Sequence, residues 1–186
     1  MATAQAQAQR EIAIPAGTWK SDPVHSHVGF AVKHMAVATF RGSFNDFDVT
    51  LENEGGEPKL SGAVRVESVD VRDENLNGHL LSPEFFDAER HPEIKFTSTA
   101  IGYEGDDVVV EGDLTIKGTT KRVEARGQLI GPIEHPAGGE RVGIELSTVV
   151  DRTEFGLNWN APLPRGGVAV ANEVTLSVHL ELAEEA

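Results

Sequence analysis

At 186 residues and 20.0 kDa the chain is long enough for one domain with a sizeable core. Its 30 acidic against 16 basic side chains give a formal net charge of −14, which repels nucleic-acid phosphates and anionic membrane surfaces. With no cysteine, disulfides, thiolate metal sites and cysteine nucleophiles are excluded.

Residues 1–16, rich in Ala and Gln at their start, read as a disordered tail before a single domain over 17–186. The tail has no apolar secretory core, and no run approaches the roughly 20 apolar residues of a membrane helix. A cytoplasmic protein with no stable membrane insertion is therefore expected.

The strands then follow one another. Thr18-Trp19-Lys20 open a short one that stops at the turn pair Asp22-Pro23. Val28, Phe30, Val32 and His34 share one face of the second. A third runs from Gly42 to Leu51, but its parity slips between Phe44 and Phe47, as a β-bulge near Asn45-Asp46 would cause. After a turn at Gly55-Gly56, Leu60, Gly62, Val64 and Val66 alternate with polar or small residues.

Residues 74–92 break the pattern. Ser82-Pro83 predicts a helix N-cap followed by proline at the first helical position, with Phe85 and Phe86 inside and His91-Pro92 as the stop. Strands resume over Ile94–Ile101 and Val108–Ile116, and Lys117-Gly118-Thr119-Thr120 reads as a hairpin turn into Val123, Ala125, Gly127 and Leu129. The last two strands are the clearest. Val142, Ile144, Leu146, Thr148 and Val150 share one parity, as do Val174, Leu176, Val178, Leu180 and Leu182. Neither run has the three-and-four spacing of a helical stripe. Between them, Phe155 to about Val170 is a loop rich in Gly and Pro.

About eight one-sided strands must either pack as two sheets or close on themselves, and closure removes exposed edges. The apolar faces are mostly Val, Leu and Ile, which leave space that larger side chains would fill. The expectation is an all-β, eight-stranded antiparallel barrel with an elongated apolar cavity and a short helical insertion capping one end. Phe30, Val32, Val64, Phe96, Leu114, Ile144, Leu146, Leu176 and Val178 should point inward, and Arg65, Lys95, Glu145 and Glu173 outward. Leu80, Leu81, Phe85 and Phe86 in one segment, and Leu157, Trp159 and Leu163 in another, should cover the mouth.

Several stretches, in order, carry a resemblance. They are W-K-S-D-P-V-H-S-H-V-G-F-A-V-K-H-M at Trp19 to Met35, R-G-S-F at Arg41 to Phe44, and H-L-L-S-P-E-F-F-D-A-E-R-H-P-E-I-K-F at His79 to Phe96. L-T-I-K-G-T-T at Leu114 to Thr120, D-R-T-E-F-G-L at Asp151 to Leu157 and the Gly166-Gly167 loop complete the set. From Gly17 to Ala183 the chain resembles the YceI-like family of bacterial proteins. That resemblance implies a lipocalin-like barrel whose internal channel holds a polyisoprenoid, the tail of a quinone, or a fatty amide. The chain departs from the family pattern at Asn77-Gly78, Leu81 and Ala171-Asn172. Many relatives are periplasmic and carry a signal peptide.

Candidate chemistry is sparse. His25-Ser26-His27 invites a metal reading, but a third ligand is missing, and His34 shares its parity with Phe30 rather than with the pair. Ser26 lacks a nucleophile elbow and an acidic partner. Glu84 and Asp87 fall at the expected helix start, where acids are common. His25, Ser26, Asp151 and Arg152 are expected to hold loops at the cavity mouth by hydrogen bonds, with headgroup recognition the other role for Arg152. No catalytic residue, metal or cofactor is assigned. The reading is a carrier or store for a hydrophobic lipid, as a monomer or a homodimer. The alternatives are a metal-assisted enzyme acting on such a lipid through His25 and His27, and a filled barrel serving as an interaction module.

Overall fold

The computed structural model describes residues 14–185. Eleven strand segments occur: β1 (Gly17–Ser21), β2 (His27–His34), β3 (Ala38–Phe44), β4 (Phe47–Glu54), β5 (Glu57–Arg65) and β6 (Val69–Asp70) precede the helix, and β7 (Glu93–Glu104), β8 (Asp107–Ile116), β9 (Thr119–Glu134), β10 (Glu140–Asp151) and β11 (Val170–Glu184) follow it. Hydrogen-bonded neighbours run β1-β4-β5-β7-β8-β9-β10-β11, and β11 pairs back onto β1 with Trp19 opposite Glu184. The result is a closed antiparallel barrel of eight strands with no free edge around the ring.

The first strands are interrupted ones. The C-terminal half of β11 pairs with β1 and its N-terminal half with β2, so β1 and β2 are two parts of one wall strand separated by Asp22–Ser26. β2 pairs with β3, and β3 with β6, extending the wall past the closed ring. The parity slip between Phe44 and Phe47 is real and takes the form of a break at Asn45-Asp46. Both aromatics remain buried because two residues outside the ladder turn the strand once more toward the core.

The expected hairpin between β8 and β9 forms, but as a two-residue turn with Lys117 at φ 49° and Gly118 at φ 76°, Thr119 and Thr120 already pairing in the ladder. The helix is displaced from its expected position. It is α1 (Glu74–Leu81), and Asp73 is its N-cap, accepting a 2.8 Å hydrogen bond from the Leu76 N–H. Ser82 is the C-cap rather than the N-cap, so Glu84 and Asp87 lie in the turns beyond the helix. The Ser82-Pro83 pair, a good local start signal, misplaced the helix; Gly78 lies inside it with its missing side chain facing open space. The Phe85-Phe86 segment is instead folded back under the helix end. Phe86 N–H donates to the Leu80 carbonyl at 3.0 Å and Ala88 N–H to that of Leu81 at 3.0 Å.

Residues 1–13 of the expected tail lie outside the described residues. Residues 14–16 of that stretch are described and touch the barrel. Ile14 is half-buried, and its carbonyl accepts from Asn53 Nδ2 at 2.7 Å, while the Ala16 carbonyl accepts from the Trp19 indole at 3.3 Å.

Candidate ligand-binding site

The barrel interior divides into two levels. At one end Trp19, Leu51, Val108, Val110, Leu129, Val142, Ile144 and Leu182 pack into a plug, with Leu182 and Val142 wholly inaccessible. Above it lies a cavity of about 510 Å³, within the range of small-molecule sites. Its walls are the inward parity of β2, β4, β5, β7, β8, β9, β10 and β11. Phe30, Val32, Val64, Phe96, Leu114, Leu146, Leu176 and Val178 all line it, as their alternation predicts. Glu145, Glu173 and Lys95 are exposed on the outer face, and Arg65 pairs there with Glu93.

The inward expectation for Ile144 is right, but its place in the cavity is not. It sits in the plug, because parity fixes the face of a strand and not the height along the barrel. Leu81 is a second correction. It packs against the core from the helix end without reaching the cavity, since the helix starts nine residues earlier than a Ser82 N-cap would have it and presents Leu76, His79 and Leu80 instead. Phe40, Phe44, Ile116 and Phe155 also line the cavity and were not singled out. Ile116 was legible as the partner in parity of Leu114. Phe155 was not, because it belongs to an irregular segment.

The mouth is closed by an aromatic cluster. His79 of α1 stands edge-on to both Phe85 and Trp159, with ring centroids 4.9 Å apart in each case, and Phe85 lies 5.4 Å from Trp159. The His79 Nε2 is 2.8 Å from Glu84 Oε2. Lys117 Nζ donates to the carbonyls of Pro83 at 2.8 Å and Gly156 at 3.5 Å, so it ties the segment after the helix to the loop after β10. Phe86, Leu157 and Trp159 complete the apolar cover, as expected, while Leu163 is half-buried in the loop and does not touch the cavity.

Arg152 follows β10 in a 3₁₀ turn, Arg152–Phe155, and is 6% exposed. Its guanidinium is spread over backbone carbonyls. Nε donates to Ala171 at 2.9 Å, Nη1 to Leu157 at 2.5 Å and Trp159 at 2.9 Å, and Nη2 to Val170 at 3.3 Å. Burial pushes its pKa below the ordinary arginine value. Asp151 does not pair with it. The Thr153 hydroxyl and N–H donate to that carboxylate and hold its pKa below the usual range, which fixes the turn. Arg152 is thus a loop anchor that also forms part of the cavity wall.

His25 and Ser26 are not at the mouth. They fall at the interruption between β1 and β2, on the outside of the wall, where chain leaves and rejoins the ladder. Ser26 Oγ accepts from the Glu181 N–H at 3.0 Å and holds the break against β11. His25 Nδ1 is 2.9 Å from Asp22 Oδ2, and Asp22, His25 and Glu181 offer ligand atoms within 4.8 Å of one another. The set is poorly suited to a metal. The Asp22 hydrogen bond raises the His25 pKa, favouring the protonated ring that cannot ligate, and Arg141 lies 3.5 Å from Glu181. His27 is not in that group; its ring is 6.5 Å from His179 on the outer face. The histidine pair on which a metal-assisted enzyme would depend is therefore split between separate neighbours.

The Asp22–His25 pair has a pH signature. A raised His25 pKa contributes stability that is complete below the unfolded value near 6.5 and lost as pH rises through the folded value. A lowered Asp22 pKa contributes stability present above 3.8 and lost as pH falls through the folded value. The melting-temperature difference between wild type and His25→Gln should be greatest between these limits and shrink as pH rises through the raised His25 value. It will be small, because His25 is 60% exposed. A pH-independent difference would mean that the pair does not titrate as a unit.

The model of the YceI-like domain matches residues 19–182. Protein YceI of Escherichia coli O17:K52:H18 is 33% identical over 136 residues, covering 72% of this chain and 71% of that protein. A Photorhabdus laumondii protein is 36% identical over 142 residues, covering 75% of this chain and 73% of its own. Among solved structures, Burkholderia cenocepacia BcnA superposes with a TM-score of 0.74 at 24% identity, over 87% of this chain and 98% of that one. A polyisoprenoid-binding domain from Saccharophagus degradans, implicated in plant cell wall breakdown, gives 0.65 at 10% identity, over 92% and 100%. The chain belongs to the YceI-like family.

Proposed function

We propose that this YceI-like protein binds and sequesters or carries an isoprenoid lipid, such as a polyisoprenoid or a prenyl quinone, with the tail in the barrel and the head under the aromatic cover. The observation that carries this reading is the cavity of about 510 Å³ whose exposed inner surface is almost entirely apolar. Each buried CH₂ contributes about 0.8 kcal/mol, so some ten buried carbons give roughly 8 kcal/mol, about micromolar affinity before the costs of association. Such a site needs no network of polar contacts. It favours a long apolar chain over a compact polar substrate, and a fatty amide would satisfy the same physics.

A binding protein fits better than an enzyme. Two of the polar side chains lining the cavity near its mouth are occupied elsewhere, Arg152 with backbone carbonyls and His79 with Glu84, while His34 stands exposed at the rim. Among the described residues no nucleophile paired with a base and no metal-ligand set converges on the space where a lipid would lie, and a bound isoprenoid takes the place of a cofactor. No helix among the described residues is long and apolar enough to cross a membrane.

Native mass spectrometry of protein purified without added lipid should reveal a bound mass of several hundred daltons that is lost on denaturation. Delipidated protein titrated with a prenyl quinone should then lose tryptophan fluorescence. Trp159 at the mouth is the reporter, because Trp19 is buried in the plug at 1% exposure. Trp159→Phe should abolish the change while lipid is still retained. Protein that arrives empty and takes up neither prenyl quinone nor fatty amide would leave the filled-barrel interaction module as the better reading.

A further inference from the structure

The rim of the cavity is not uniform, and one side of it has the make-up of a membrane-contacting surface. The turn joining β2 to β3 projects Met35 and Val37, which are 44% and 82% exposed, and the facing loop projects Val168, 50% exposed. They form one patch, since Met35 N–H donates to the Ala169 carbonyl at 2.8 Å. The patch adjoins the mouth directly: His34, Ala169 and Val170 line the cavity. Isolated exposed apolar residues need no explanation, but three at the opening of an apolar cavity do.

Two independent features support a ligand-facing role for this rim. The turn holds Met35 at φ 51° and Ala36 at φ 59°, both in the left-handed region, where Asn-Gly would sit with less strain. A strained turn therefore displays apolar side chains to the surroundings. Charge is the second. The chain as a whole is strongly acidic, yet no Asp or Glu occurs from Val28 to Asn45 or from Phe155 to Asn172. Those stretches carry Lys33, Arg41 and Arg165, and none of the three enters an ion pair among the described residues. Lys33 and Arg41 share the outer parity of the β2–β3 ladder. Acidic side chains return at Glu173, at Asp70 of β6 where it pairs with Ser43 on the far edge of β3, and, across the mouth, at Glu84.

We infer that this rim docks on the headgroup layer of an anionic bilayer, with Met35, Val37 and Val168 inserted shallowly and Lys33, Arg41 and Arg165 at the lipid phosphates. Repulsion of the remaining acidic surface would confine approach to this end, so that the mouth faces the membrane from which a lipid is taken. The contact is peripheral, made by loop tips rather than by a spanning segment. It rests on the carrier reading for its purpose, but not for its test.

Full-length protein should co-sediment with vesicles of mixed phosphatidylethanolamine and phosphatidylglycerol more strongly than with phosphatidylcholine vesicles, and the difference should fall as salt rises. The triple variant M35S/V37S/V168S should reduce partitioning at least tenfold, and K33E or R165E by about fivefold each. None of these residues lines the cavity, so lipid retained in the purified variants should equal that in wild type. Three results would overturn the inference: no vesicle binding by wild type, binding that the triple variant leaves intact, or a concentration-dependent dimer in sedimentation velocity that the triple variant abolishes. The last would identify a second copy as the occupant. Wild type that binds vesicles but never carries lipid would instead remove the carrier reading and leave the docking surface standing.

Discussion

Replacing Arg152 with methionine is expected to destabilise the protein by about 3 kcal/mol or more, the largest loss foreseen for a single residue outside the plug. The guanidinium donates to four backbone carbonyls, those of Leu157, Trp159, Val170 and Ala171, which belong to opposite ends of one long loop. Methionine fills similar volume but supplies no donor. A buried carbonyl left without a partner costs about 1–3 kcal/mol, so two of the four remaining dry are enough for the stated effect. Arg152→Lys keeps the charge, but its compact ammonium cannot reproduce a planar fork that serves both sides of the loop, and it should recover little. Urea denaturation with an unchanged m-value is the measurement. Because Trp159 is one of the anchored residues, lipid release should also accelerate in the variant. A loss below about 1 kcal/mol would mean that Asn160, which bonds Val170 through both its amide and its carbonyl, holds the loop alone.

Arg152 was legible as a loop anchor because a charged residue directly after a clean apolar strand and before a Gly turn has a position to hold. Its partners were not legible, since carbonyls carry no sequence signature. The barrel was readable for a stronger reason: a period of two over long runs of β10 and β11 admits only one face inward, and every inward residue named on those strands is inside. Ring closure and the division into plug and cavity depend on strand order and stagger, which alternation does not encode. The helix was misplaced because the Ser82-Pro83 signal is locally good, whereas Asp73-Glu74 is followed by Asn77-Gly78, a poor helical pair. Tertiary burial of Leu80 and the Asp73 cap outweighed that cost. His25 and Ser26 were given a barrel end because Asp22-Pro23 reads as a turn. The chain does turn there, but within the wall, where it rejoins the same neighbour, β11.

The two-level interior bears on ligand length. The larger cavity stops at the level of Val49, Leu60, Leu146 and Leu180, and a second, much smaller void of about 10 Å³ lies below it between Ile14, Leu51, Ile101, Val108, Val110, Leu129 and Ile144. Leu60 lines both. It stands on β5 opposite Leu51, is 4% exposed, and its N–H donates to the buried Ser98 hydroxyl at 2.8 Å, so its position is well fixed. A lipid tail entering beneath the aromatic cover would end against this side chain.

Leu60→Ala should therefore lengthen the chain that the barrel accepts. Removing the side chain beyond Cβ opens room for about three more carbons, worth roughly 2.4 kcal/mol or some 60-fold in affinity for a ligand long enough to use them. Ligands too short to reach the floor should bind as before. Truncation also costs about 2–5 kcal/mol of stability, which thermal unfolding would register and a long ligand would partly restore by binding only the folded state. Leu60→Phe supplies the opposite case, since the added ring can occupy the empty cavity above and should shorten the longest chain retained. A graded series of prenyl quinones, competed in pairs and read by native mass spectrometry, measures the preference directly. If wild type binds the series and both variants keep the same length preference, Leu60 is not the floor, and the tail must bend within the upper cavity or leave its excess length outside the mouth.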